Sequence, residues 1–343
     1  KFYNKDKTDF FITLRTRVDQ YFKENNISTH ANFKMVIKTI SMLLMFFVPY
    51  TLILTNTITP WFMLVLAVLL GLGKAGIGMS VMHDANHGGY SSKAWVNKII
   101  GYTMELVGGS SFTWKIQHNI LHHTYTNIYE HDEDIDPKGL MRFTPRADLK
   151  SYHKYQYIYA VFFYGLMTLF WSLHKDFKQL LRYDKQGLRN GRENLKTRFS
   201  IIIFSKAVYY SYMMVIPLLL VDIAFWQWLI GYLTMHFVAG VVLALTFQLA
   251  HVVEETEFPV PSDGKTIENE WAIHQLETTA DFAKDSQLIT FYVGGLNYQA
   301  IHHLFPRVCH VHYPAIAPIV ESTAKEFGVP YIYNETFMKA LIS

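Results

Sequence analysis

Residues 60–87 read PWFMLVLAVLLGLGKAGIGMSVMHDANH, an apolar run that ends in two histidines four positions apart. The stretch 60–82 carries a single charge, Lys74, and reaches the roughly 20 residues needed to cross a hydrocarbon core. His83 and His87 then lie one turn apart on one helix face, a spacing that suits one metal ion. A membrane helix that delivers imidazoles to its own end sets the pattern for the rest of the chain.

Three further runs are as long and as apolar, at about 36–57, 201–221 and 225–249. Short polar joints, Asn56-Thr57 and Asp222, pair the four runs into two helical hairpins. The composition agrees: 50% of the 343 residues are hydrophobic and 17% charged, against about 25% charged in soluble domains. Lys and Arg concentrate in 1–38 and 83–200, which puts both termini and the His-rich segments in the cytoplasm, with a bacterial inner membrane as the setting. The expected fold is therefore an all-α integral membrane protein. It has four transmembrane helices and a cytosolic helical cap formed by 83–200 and 250–343. Residues 36–343 form one membrane domain, preceded by the amphipathic segment 1–35, whose Phe10, Phe11, Leu14, Val18, Tyr21 and Phe22 recur at helical spacing. Residues 1–34 are polar, with charges of both signs, and do not read as a signal peptide.

Residues 155–173 could span by hydropathy alone. The histidine clusters at 83–123 and 251–303 must share one side to form one site, so an even number of crossings separates them. The third and fourth runs already supply two. Residues 155–173 are thus expected to form an in-plane or protein-covered helix. A net charge of +3 implies no nucleic-acid partner, and the single Cys309 excludes an intrachain disulfide.

The second histidine cluster is HNILHH, with His118, His122 and His123; the third is QAIHH, with Gln299, His302 and His303. His122 and His123 point about 100° apart on a helix and could serve two metals. His251 stands alone at the end of the fourth run. Each histidine by itself is more often a satisfied core residue, but the joint pattern points to metal. Eight imidazoles and one amide exceed a single four-coordinate zinc, so two ions fit better. Imidazole suits iron, copper, nickel and zinc alike.

HDANH, HNILHHTYTN and NYQAIHHLFP, in this order and spacing, resemble the membrane fatty acid desaturase family, most specifically over about 60–320. The resemblance implies a cytosolic di-iron centre, dioxygen as co-substrate, and a fatty acyl-CoA or acyl-lipid substrate desaturated within a membrane of lipids. It implies that His83, His87, His118, His122, His123, His251, His302 and His303 ligate iron. Gln299 stands where many relatives have histidine and resembles front-end desaturases. Its amide ligates, leaves room for a water, or only hydrogen-bonds a neighbouring imidazole. Some relatives hold a metal-bound water with an asparagine one turn before the lone histidine; here Phe247 stands there, with Gln248 as a substitute. No HPGG motif of a fused haem domain occurs, so electrons are expected from a ferredoxin or small b-type cytochrome. A hydroxylase or ketolase on the same scaffold, and a non-enzymatic metal-binding protein or transporter, remain alternatives.

Asp84, Asn86, Asn119 and Asn297 lie within the boxes and are expected to orient imidazoles. One acid of EHDEDID, Glu130 to Asp136, has the same expected role. Trp114 and Tyr298 are candidates for the wall of an acyl tunnel. Lys74 either snorkels to the surface or faces that tunnel. The basic set Arg182, Lys185, Arg189, Arg192, Lys196 and Arg198 binds a CoA or lipid phosphate, or is a plain juxtamembrane loop.

Overall fold

The computed structural model describes residues 1–137, 139–189 and 194–343; Arg192 lies outside them. Helix α1 (Phe10–Glu24) is capped off by Asn25–Asn26 and followed by two long helices, α2 (Phe33–Leu54) and α3 (Pro60–Gly76). Asn32 begins α2 by accepting from the Met35 N–H at 3.3 Å, and Pro60 opens α3 at a position where its missing N–H costs nothing. The two pack closely because Gly73 has no side chain: a Cβ there would sit 2.7 Å from the Phe46 nitrogen.

A π-helical turn, Ile77–Met82, carries α3 directly into α4 (His83–His87). Helices α5 (Gln156–Phe170) and α6 (Asp176–Lys185) follow, joined by another π turn. Then come α7 (Leu195–Tyr210), which continues through a π turn to Leu220, and α8 (Phe225–His251). Beyond α8 the chain forms α9 (Gln299–Leu304) and α10 (Tyr313–Glu326), with β1 (Ala280–Phe282) pairing parallel to β2 (Ile332–Asn334). Helix α1 buries Phe10, Leu14, Val18 and Phe22 in the same core cluster as Ile316 and Val320 of α10.

This is an all-α integral membrane fold. Five helical stretches among the described residues are long and apolar enough to cross a membrane, one more than the four expected. The addition is Ser151–Lys185, and only 17% of its most apolar window is buried, so it is not protein-covered as expected. Nor does it lie across the bundle. Its α5 part runs antiparallel along α8, where glycines at 165 and 240 admit the Phe237 ring and the Tyr164 carbonyl. Thr168 thereby meets His236, which is about 22 Å from His251 along α8. Eleven residues later Gln179 is back beside the boxes, donating to Gln117 at 2.6 Å. The segment runs beside α8 and continues through the π turn at Trp171–Lys175 as one helical run to Lys185. An ion pair fixes the turn: Lys206 of α7 reaches Asp176 at 2.5 Å, and Thr113 and Trp171 donate to the same carboxylate.

Candidate metal centre

The eight box histidines converge where α4, the end of α8, α9 and residues 115–123 meet. Residues 115–122 are themselves π-helical, and π turns recur at functional sites. Because a π turn closes from i to i+5, His118 and His123 come together, with Nε2 atoms 3.3 Å apart. His122 stacks on His118 at 5.1 Å, and its Nε2 belongs with His251 and His303.

Two principal groups result. His83, His87, His118 and His302 offer ring nitrogens within 4.8 Å of one another, and so do His122, His251 and His303. His123, His302 and His303 form a third set between them. The Nε2 atoms of His83 and His118 face each other at 3.1 Å. The Gln299 amide lies 2.9 Å from His251 Nε2 and 3.3 Å from His303 Nε2, a place from which its oxygen can face both.

Four of the inward-facing rings are held from behind. His122 Nδ1 bonds the Asp132 carboxylate at 3.0 Å, His303 Nδ1 the Gln275 oxygen at 2.7 Å, His302 Nδ1 the Tyr313 hydroxyl at 3.2 Å and His251 Nδ1 the Thr278 carbonyl at 3.3 Å. Their opposite nitrogens point at one another, and Nε2 of His87, His122 and His302 is buried without a hydrogen-bond partner. Buried polar atoms are almost always paired. A ring of unpaired nitrogens with fixed outer tautomers is what metal ions would satisfy.

Electrostatics suit this. Burial, reinforced by neighbouring imidazoles, lowers the pKa of His123, His302 and His303, which keeps them neutral as ligation requires. Burial also lowers His118, with Asp134 opposing. Burial works against protonation of His122 too, but Asp132 outweighs it and the pKa is raised.

The four residues expected to orient the imidazoles do other work. Asp84 accepts from the His310 backbone and ring at 3.0 and 2.9 Å, and Asn86 reaches Gly101. Asn119 donates to the Asn86 carbonyl at 3.0 Å, and Asn297 to Thr290 at 2.9 Å. These side chains are too short to turn back onto a box ring on their own helix, so they tie the box elements to neighbours. The EHDEDID run supplies two acids rather than one, Asp132 and Asp134. Gln275, Thr278 and Tyr313 went unforeseen because they lie outside the motifs and arrive only by folding.

A cavity of about 600 Å³ opens beside the boxes. His83, His118, Gln299 and Trp114 line it, with Met79 and Leu243 among its apolar walls. Trp114 stacks on His118 at 4.5 Å. Tyr298 does not line it: its hydroxyl donates to the Lys284 carbonyl on the far side of α9. Phe247 packs on His122 and His251 at 5.1 and 4.6 Å, where the family's asparagine would stand, and Gln248 lines the cavity. Lys74 also lines it and does not snorkel. Of the basic set, Arg182 pairs with Glu133 at 2.5 Å and Arg189 with Asp184.

A membrane bundle with opposed imidazoles over an apolar cavity fits the class of membrane proteins that hold a metal site. The family model for fatty acid desaturases matches residues 59–335, and the chain belongs to that family. It is 38% identical, over 96% of its own length and 88% of the relative's, to the sn-1 linoleoyl-lipid 6-desaturase of Arthrospira platensis. It is 37% identical to the acyl-lipid (8-3)-desaturase of Physcomitrium patens, over 98% of this chain and 70% of that one. Against the sn-1 linoleoyl-lipid 6-desaturase of Synechocystis the identity is 35%, over 98% and 94%. The protein is a membrane fatty acyl desaturase, an oxidoreductase.

Proposed function

We propose that His83, His87, His118, His123 and His302 hold one iron ion. His122, His251 and His303, with the Gln299 amide, hold a second, and the pair acts on an acyl chain in the cavity. The observation that carries this reading is the set of opposed, outer-tethered imidazoles in the wall of an apolar cavity. Bound iron would supply the dioxygen chemistry that removes hydrogens from two adjacent methylenes, which side chains alone cannot do.

The chain's own residues do the rest. Asp132, Gln275, Tyr313 and Thr278 fix the rings so that Nε2 faces inward. Trp114 and Phe247 pack on those rings and exclude water. Met79 and Leu243 give the acyl chain an apolar lane that limits which carbons approach the metals.

An acyl-lipid is favoured over acyl-CoA. One wall of the cavity is α5, whose opposite face exposes Tyr157, Ile158 and Phe162 as a lipid-facing surface. The relatives' names point the same way, and with Gln299 they support front-end regiochemistry. A ferredoxin or small b-type cytochrome is the proposed electron donor, and the site and both termini are assigned to the cytoplasmic face of a bacterial inner membrane.

Purified protein in lipid nanodiscs, given reductant, dioxygen and either a defined acyl-lipid or its acyl-CoA, tests this. The expected result is two irons per chain and an alkene formed from the lipid. A hydroxylated product without alkene, or an iron-free active protein, would overturn it.

A further inference from the structure

The cavity is not lined by apolar side chains alone. Lys74 lines it too, nine residues before His83 on the same helical run, about 13 Å from it at 1.5 Å per residue. Lys74 is buried, and its Nζ donates to the Val107 carbonyl at 2.6 Å and the Tyr209 hydroxyl at 3.3 Å. Among the described residues no carboxylate pairs with it.

The network behind it has only one proton arrangement. Thr168 donates to the His236 carbonyl at 2.9 Å, so it accepts from His236 Nδ1, also at 2.9 Å. His236 Nε2 is then an acceptor, and Tyr209 donates to it at 2.9 Å. Tyr209 therefore offers Lys74 only its lone pair. The direction runs Lys74 to Tyr209 to His236 to Thr168, and each of these links is spoken for. Beyond Val107 and Tyr209 the Lys74 nitrogen has no hydrogen-bond partner among the described residues, and Lys74 lines the cavity.

We propose that Lys74 is the floor of the acyl-binding cavity and sets how far the chain extends beyond the reacting carbons. This rests on the reading that an acyl chain occupies the cavity. A methyl terminus pressed onto the Lys74 nitrogen keeps that polar group from water without replacing the bond, so the floor disfavours the chain as well as blocking it. With C–C bonds of about 1.52 Å advancing roughly 1.25 Å each, a depth of about 13 Å takes roughly ten bonds. Chains longer than that beyond the reacting carbons are disfavoured. Tyr209, His236 and Thr168 act through Lys74 and position it.

The test is competition between acyl-lipids whose chains step by two carbons, read as product ratios, with wild-type, Lys74→Met and Lys74→Arg proteins. Lys74→Met removes the polar nitrogen and extends the apolar lane. It is expected to raise the ratio of longer to shorter product about tenfold, the scale of one or two methylenes in an apolar pocket. Lys74→Arg raises the floor and is expected to move the ratio the other way. Metal content and melting temperature identify folded variants. If Lys74→Met does not fold, Lys74→Arg decides alone: a shift to shorter chains supports the floor. An unchanged chain-length profile in a folded variant overturns it. Absence of alkene from wild-type protein would instead count against the occupancy reading, so the two failures are distinct.

Discussion

Two sets of buried histidines sit in this molecule, and they are wired differently. In mid-bundle, His236 has both nitrogens bonded, one to Thr168 and one to Tyr209, and nothing is left over. At the end of the bundle His122, His303, His302 and His251 each have one nitrogen bonded outward, to Asp132, Gln275, Tyr313 and Thr278. Their other nitrogens face further histidines. Burial is nearly complete in both places. What separates a structural histidine from a candidate ligand is the half-satisfied ring, not its depth or hydrophobic surroundings.

That contrast breaks most sharply by substitution. His303→Ala is expected to lower activity more than about 100-fold and to reduce bound metal, exceeding the usual cost of losing a ligand's outer partner. His236→Gln is expected to leave metal content unchanged while lowering the melting temperature; equal metal loss in both would erase the distinction. Asp132→Asn tests the outer tether alone. It leaves His122 in place but weakens the hold on Nδ1, and a 10- to 100-fold loss of metal affinity or activity is expected, read by chelator competition.

The smallest effect concerns Glu105, which accepts from the Ser111 backbone at 2.9 Å and from its hydroxyl at 2.6 Å, just ahead of the second box. Burial lifts its carboxyl to about 7. The folded protein then keeps a proton that the unfolded chain has already lost, so stability falls as pH rises from the ordinary carboxylate range through about 7 and levels off above it. The change between pH 5.5 and 8.5 is about 2 kcal/mol. Glu105→Gln should flatten that part of the melting-temperature profile; an unaltered slope would place the proton elsewhere.

Much of this was legible in the chain. HDANH, HNILHH and QAIHH named the converging rings, because helical spacing alone places i and i+4 imidazoles together. The apolar runs at 60–82 and 225–249 gave their helices to within a few residues, since length and hydropathy decide what a bilayer accepts. The π turn at 115–122 was not legible: it pairs His118 with His123 rather than with His122, and it arises where packing inserts a residue into a helix.

Outer tethers follow the same division. Asp132 is ten residues from His122 and lay in a run marked as a source of such an acid, whereas Gln275 is 28 residues from His303 and Thr278 is 27 from His251. Asn86 and Asn297 read as tethers because they are neighbours in sequence, yet an adjacent side chain points away from the ring beside it. The chain by itself determined which histidines fall at helical spacing and which segments are long and apolar enough to enter a membrane, because both follow from local spacing and solvent preference. Only the tertiary structure decided which ring nitrogens face one another, that 151–185 packs along α8, and that Lys74 lines the cavity. Those depend on contacts between segments far apart in sequence, and no periodicity records them.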